Sequence, residues 1–290
     1  MASNKQAAAA QTAQTAQRER PQRQLHTAER ANAAIEPIVD VRQLSMRYPN
    51  GHRALRDVSI QAWPGEVVAV LGANGSGKST LLRCITRLVT PTAGQIRVDG
   101  RDISELQGRE LRAARRSVGF IFQSPALVRR RAVLANVVVG ALGRSRGLGC
   151  QFGRMPREEL AFATTCLQRV GLLEFAYRRA DTLSGGQAQR VAVARALCQR
   201  PVALLADEPV ASLDPDAAVE VMQTLRSLAD EQGLGILVVL HQPELALAYA
   251  DHVVGLRDGT LAFDKPRCKV DEEAVRTLYR SAPPNSGPGG

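Results

Sequence analysis

The chain has 290 residues and a formal net charge of +10, which gives room for one large domain or two small ones. No apolar run approaches the ~18–20 residues of a membrane-spanning helix, and short runs such as 67–71 and 236–240 suit buried strands instead. The N-terminal residues hold no apolar core and no cleavage signal, so the expected compartment is the cytosol.

Residues 1–36 are rich in Ala, Gln, Thr and Arg without hydrophobic periodicity and are expected to be disordered. Two strands, 38–48 and 54–63, follow around a turn at Pro49-Asn-Gly51. A continuous apolar strand at 67–71 runs into a glycine-rich loop and then a helix from Lys78 to about Val89. A hairpin is expected at 95–103 with Asp99-Gly100 at its turn, and a strand at 117–122. Residues 124–182 are Arg- and Leu-rich with helical spacing, interrupted by a Gly-rich insertion at 140–153. Helix and strand then alternate: helix 191–198, strand 202–206, helix 217–230, strand 236–240, helix 244–250. A last strand pair lies near 253–256 and 261–263, a short helix falls within 265–290, and 281–290 form a flexible tail. Such a succession implies a mostly parallel sheet with helices on both faces.

Five cysteines (84, 150, 166, 198 and 268) are scattered without a CxxC pair and read as reduced thiols. Between Arg97 and Arg146 eleven arginines face four acids, yet the aromatics there, Phe120 and Phe122, do not interleave with the arginines as in a nucleic-acid module. That basic stretch suits lipid headgroups, a membrane partner or simple solvation, and no specific nucleic acid is expected. Lysine is scarce, with four in the chain, and one of them is Lys78 inside the glycine-rich loop.

That loop, Gly72-Ala-Asn-Gly-Ser-Gly-Lys-Ser79, matches G-x-x-x-x-G-K-[ST], with Thr80 after it. Its amides (Gly72, Ala73, Asn74, Gly75, Ser76, Gly77) and the following helix start suit a phosphate chain. Lys78 would reach the β- and γ-phosphates and Ser79 would ligate Mg²⁺. The apolar segment 203–206 ends in Asp207 and Glu208: the first suits the metal, the second a general base that activates water. The strand order puts the loop, the acidic pair and His241 at the carboxyl edge of one sheet. Leu183-Ser-Gly-Gly-Gln187 precedes a helix, so Ser184, Gly185, Gly186 and Gln187 form a second anion-binding device. One chain cannot readily bring both devices to one phosphate, which suggests two copies that sandwich ATP head to tail. Tyr48 can stack on adenine through its ring.

These motifs resemble the ATP-binding cassette (ABC) ATPases, and specifically the phosphonate-import ATP-binding proteins of bacteria, over about residues 38–264. The narrower likeness rests on Leu81-Leu-Arg-Cys-Ile-Thr-Arg-Leu88, Ala206-Asp-Glu-Pro-Val-Ala-Ser-Leu-Asp214 and His241-Gln-Pro-Glu-Leu-Ala-Leu-Ala-Tyr-Ala-Asp251. Two departures stand out: Ala188 replaces the usual Gln, and 124–132 lack the usual His-Phe-Asn run. The resemblance implies a P-loop NTPase of α/β class with a mixed core sheet, an antiparallel β subdomain and a helical subdomain at about 124–189. The ATPase domain would span 37–264. It also assigns Gln123 to metal and water, His241 to the γ-phosphate, and Asp214 with the Ser184–Gln187 segment to the nucleotide of a second copy. The implied partners are a second cassette, two transmembrane permease subunits and a periplasmic solute-binding protein. The implied location is the cytoplasmic face of the bacterial inner membrane. Alternatives are an importer for another small anion or an amino acid, and a soluble ABC ATPase acting on nucleic acid or ribosomes.

Overall fold

The computed structural model describes residues 35–145 and 155–279. The expected disorder of 1–36, but for its last two residues, the 281–290 tail and much of the Gly-rich insertion lie outside these residues. Two sheets carry the fold. A four-stranded antiparallel sheet has the order β2-β1-β4-β5, with β1 Val39–Arg47, β2 Arg53–Ala62, β4 Ala93–Val98 and β5 Arg101–Asp102. Asp99 and Gly100 both take positive φ between β4 and β5, as a tight hairpin turn demands.

The six-stranded sheet has the order β10-β9-β3-β8-β7-β6. It comprises β3 Val67–Leu71, β6 Val118–Ile121, β7 Ala203–Asp207, β8 Gly235–Val239, β9 His252–Arg257 and β10 Thr260–Pro266. Every neighbouring pair from β6 to β9 is parallel, and β10 closes the edge antiparallel to β9. Strands β3, β7 and β8 are buried along their whole length, so neither face needs polar residues. Their side chains divide by alternation. Val67, Ala69, Leu71, Leu204, Ala206, Ile236 and Val238 enter a core shared with helices. Val68, Val70, Ala203, Leu205, Leu237 and Val239 enter a second core with β1, β2 and β4.

The first face is covered by α3 Val133–Val138, α4 Arg157–Arg169, α5 Gly185–Leu197, α6 Pro215–Gln232 and α7 Pro243–Tyr249, with Leu278 of α8 (Glu272–Tyr279) at its margin. On the second face the structure differs from a sheet flanked by helices on both sides. There α1 (Lys78–Ile85) and Ala114 of α2 (Gly108–Arg115) share the cover with the antiparallel sheet. α1 also stops at Ile85 rather than near Val89. Arg87 takes a left-handed φ of 55° and sends its buried guanidinium to the Ile103 carbonyl, 2.6 Å away, which ends the helix. Burial pushes the Cys84 thiol on α1 up to about 12, which keeps it protonated and unreactive.

One charge cluster, centred on the buried guanidinium of Arg226, anchors the lower end of the sheet. Arg226 of α6 meets Asp251 Oδ2 at 2.5 Å, holds Asp230 with Nε and Nη2, and donates to the Gly65 carbonyl at 2.8 Å. Asp251 Oδ2 in turn accepts from the Val67 amide at 2.9 Å, so α6 is fastened to the foot of β3. The Arg226→Leu variant is expected to lose about 1–2 kcal/mol of stability, because the Gly65 carbonyl and Asp251 lose a buried donor while the half-exposed carboxylates can turn to water. A urea denaturation midpoint measures this loss, and an unchanged midpoint would contradict it.

Candidate functional site

The glycine-rich loop leaves the top of β3 and turns directly into α1. α1 has Gly77 at its N-cap with no side-chain cap and no acidic residue in its first turn, so its amides point into the cleft unclaimed by side chains. Gly72 has φ +153°, and a Cβ there would stand 2.2 Å from the Leu256 carbonyl of β9. Only glycine fits that approach. The Ser76 hydroxyl is buried and has no hydrogen-bond partner among the described residues, a polar atom held ready for a ligand inside the loop.

Lys78 is 4 % exposed, and its Nζ donates to the carbonyls of Gly72 and Ala73 at 2.8 and 2.9 Å. Burial lowers its pKa below the usual lysine range, while Glu208 and Asp207 pull it back up. A cation in this position gains a great deal when an anion arrives. Ser79 Oγ donates to Asp207 Oδ1 at 2.7 Å, so hydroxyl and carboxylate converge from α1 and β7. Arg83 approaches the other Asp207 oxygen at 4.0 Å.

Glu208 follows β7 with φ 51°, a conformation costly for a residue with a Cβ, and this turn aims its side chain across the sheet edge. His241 follows β8, the adjacent strand, and its Nε2 lies 2.5 Å from Glu208 Oε1. The carboxylate can only accept, so the imidazole proton sits on Nε2.

Tyr48, His52, Ala54, Asn74, Gly75, Gly77, Lys78, Ser79, Thr80 and Glu208 line one cleft of about 180 Å³. Tyr48 stacks on His52 with ring centroids 6.4 Å apart, and its hydroxyl lies 3.2 Å from Thr80 Oγ1. His52 and Arg83 escaped the sequence reading. The signal for His52 was its place across the Pro49-Asn-Gly51 turn from Tyr48, whose amide donates to the His52 carbonyl at 2.9 Å. A larger hollow of about 320 Å³ lies elsewhere, beside β6 and α5. Two of its polar side chains are already engaged: Arg195 donates to the Pro125 and Ala126 carbonyls, and Gln199 to those of Arg115, Arg116 and Val118.

Ser184, Gly185, Gly186, Gln187 and Asp214 do not line the cleft and form a second group. Ser184 caps α5 by accepting from the Gln187 amide at 3.2 Å, while Gln187 Oε1 accepts from the Ser184 amide at 3.0 Å. Asp214 caps α6 by accepting from the Ala217 amide at 2.9 Å. Gly186 packs against Ala217 so closely that a Cβ on it would stand 2.7 Å from the alanine methyl. The two helix starts therefore lie side by side. Gln123 is exposed just beyond β6, outside the cleft lining. The carbonyl before it, that of Phe122, accepts from Gln189 Nε2 at 3.0 Å and ties the end of β6 to α5.

Residues 55–211 match the family model described as ABC transporter. The chain belongs to this family. A Frankia casuarinae ABC protein named "Phosphonates import ATP-binding protein PhnC" is 51% identical over 231 residues, covering 79% of this chain and 91% of its own length. "Phosphonates import ATP-binding protein PhnC 3" of Halalkalibacterium halodurans is 44% identical over 242 residues, covering 83% and 94%. Among solved ABC structures, the dimeric post-hydrolysis state of the ATP-binding cassette MJ0796 bound to ADP and Pi matches with TM-score 0.69 and 34% identity, over 79% of this chain and 98% of that one. cbiO1 from Clostridium perfringens, part of the ABC transporter complex cbiONQ, matches with TM-score 0.73 and 30% identity, over 84% and 94%. The α/β fold is thus that of an ABC ATPase, with a mixed core sheet, an antiparallel sheet and a helical layer. An ABC ATPase domain of this kind binds nucleotide.

Proposed function

We propose that this chain is the ATP-hydrolysing subunit of an importer that carries phosphonates across the bacterial inner membrane. The observation that carries the ATPase reading is the meeting of Lys78, Ser79, Asp207, Glu208 and His241 at one sheet edge. The phosphonate reading is supported by the names of the relatives, which are 40–51% identical over most of the chain.

In this reading the phosphates lie along 72–79, and Lys78 exchanges the carbonyls of Gly72 and Ala73 for phosphate oxygens. Among the described residues no three His, Cys, Asp or Glu side chains could hold a metal between them. Mg²⁺ suits such a place, since it keeps waters and takes phosphate oxygens beside one or two protein ligands. Ser79, Asp207 and Gln123 are the residues that would hold it. When bound there, the ion would supply neutralisation of charge that develops on the phosphates. Glu208 accepts the proton of the attacking water, and His241 orients that carboxylate and meets the γ-phosphate.

Ser184, Gly185, Gly186, Gln187 and Asp214 serve the nucleotide of a second copy, because their group stands apart from the cleft of their own chain. Two such chains sit beneath two permease subunits, supplied by a periplasmic solute-binding protein. No helix among the described residues is long and apolar enough to cross a membrane. In this reading the permease holds the chain at the cytoplasmic face.

The test is uptake of a radiolabelled phosphonate by phosphate-starved cells that carry this chain or its Glu208→Gln variant. Uptake is expected with the first and lost with the second. Equal uptake in both would overturn the substrate assignment and turn the search to phosphite, phosphate esters or other anions.

A further inference from the structure

The turn between β1 and β2 sets two aromatic rings at the wall of the phosphate-loop cleft. Tyr48 follows β1 and His52 precedes β2, just beyond the paired residues Arg47 and Arg53. The Tyr48 amide donates to the His52 carbonyl and the Gly51 amide to the Tyr48 carbonyl, each at 2.9 Å. Gly51 takes a left-handed φ of 85° to close the turn. Residues that face each other across such a ribbon project from one side of it. Both rings accordingly line the cleft, with Asn74, Lys78, Ser79 and Thr80 around them.

The ring planes are nearly parallel, 12° apart, with centroids separated by 6.4 Å. Rings at that spacing are offset rather than eclipsed, so they form one stepped surface longer than either ring alone. A purine is itself two fused rings. Laid on the phenol alone it would leave part of its face in water, and the imidazole extends the support in the same orientation. The phenol is braced, since its hydroxyl lies 3.2 Å from Thr80 Oγ1. His52 is exposed, and among the described residues it makes hydrogen bonds through its backbone alone, its amide donating to Asn50 Oδ1 at 3.1 Å. Its imidazole is held at the cleft by the turn and by the neighbouring ring, with no polar partner to serve.

We propose that His52 is a binding residue for the nucleotide base: its imidazole extends the Tyr48 platform so that both rings of a purine are supported. The proposal rests on the reading of the cleft as an ATP site. Stacking tolerates any base, so His52 adds affinity for a nucleotide over a bare phosphate chain and does not choose between purines.

Steady-state ATP hydrolysis by the full chain and its His52→Ala and His52→Phe variants tests the idea, with inorganic tripolyphosphate as a competitive inhibitor that has no base. In His52→Ala the KM for ATP is expected to rise at least about fivefold, the lower end of what one base–aromatic stack contributes, with kcat kept within about twofold. The inhibition constant of tripolyphosphate should stay within about twofold, because the phosphate loop is untouched. His52→Phe restores a ring and should return KM to within about twofold of wild type. An unchanged KM in His52→Ala would overturn the proposal. So would an equal weakening of ATP and tripolyphosphate, which marks a structural effect on the phosphate end. Failure of the wild-type chain to hydrolyse ATP would sink the ATPase reading, and this proposal with it.

Discussion

The Glu208→Gln variant is expected to bind ATP normally and to hydrolyse it at least about 10²-fold more slowly, a typical loss for a general base. The amide has almost the shape of the carboxylate, and its oxygen can still accept from His241 Nε2, which lies 2.5 Å from the native group. The turn that aims the side chain, with φ 51° at residue 208, is unaltered. What disappears is the ability to take a proton from water. Loss of the negative charge also relieves repulsion toward incoming phosphates, so affinity does not fall. Phosphate release and equilibrium ATP binding, measured on the same preparation, separate the two quantities. A turnover within about tenfold of wild type would move the base to another group.

Lys78→Met is expected to abolish ATP binding, with a loss of at least about 100-fold in affinity, since a charge-assisted contact to phosphate is removed from a buried position. Its effect on the unliganded protein runs differently. Burial lowers the pKa of Lys78, so folding disfavours its charged form. For a lysine shifted downward, the unfolded chain holds the proton more tightly. Stability is therefore reduced at neutral pH and recovers as pH rises from the depressed pKa toward the ordinary lysine value. Methionine removes that burden, while the carbonyls of Gly72 and Ala73 lose their donor. The two changes oppose each other, and the melting temperature without nucleotide should stay near that of wild type. The diagnostic is ligand linkage: saturating ATP raises the melting temperature of wild type and leaves that of Lys78→Met unmoved. A variant that is still stabilised by ATP would show that the loop backbone alone suffices.

Much of this arrangement was legible because the central strands are buried on both faces. Their unbroken apolar runs, 67–71, 203–206 and 236–240, needed no alternation to be recognised, and the chemistry follows each of them by a residue or two. The cover of the second face was not legible. Nothing in the order of elements shows that β1, β2 and β4 fold back over the core sheet with α1, because β1–β4 pairing joins segments about fifty residues apart. α2 was also missed. Ala114 is its one buried residue, so 108–115 carry no apolar stripe for a periodicity argument to find. The start of α5 was placed too late, near Val191, since two successive glycines are poor helix formers. Yet Ser184 and Gln187 spell a capping box, and that signal sets the start at Gly185, as the structure has it.

The contact between Gly186 and Ala217 has a kinetic consequence. With no room for even a methyl group between them, the starts of α5 and α6 cannot slide independently. An event felt by Ser184 is transmitted at once to Asp214, and the reverse holds too. Probes attached to either segment should report one relaxation with a common time constant, so engagement of a neighbouring molecule registers as a single step rather than two in sequence.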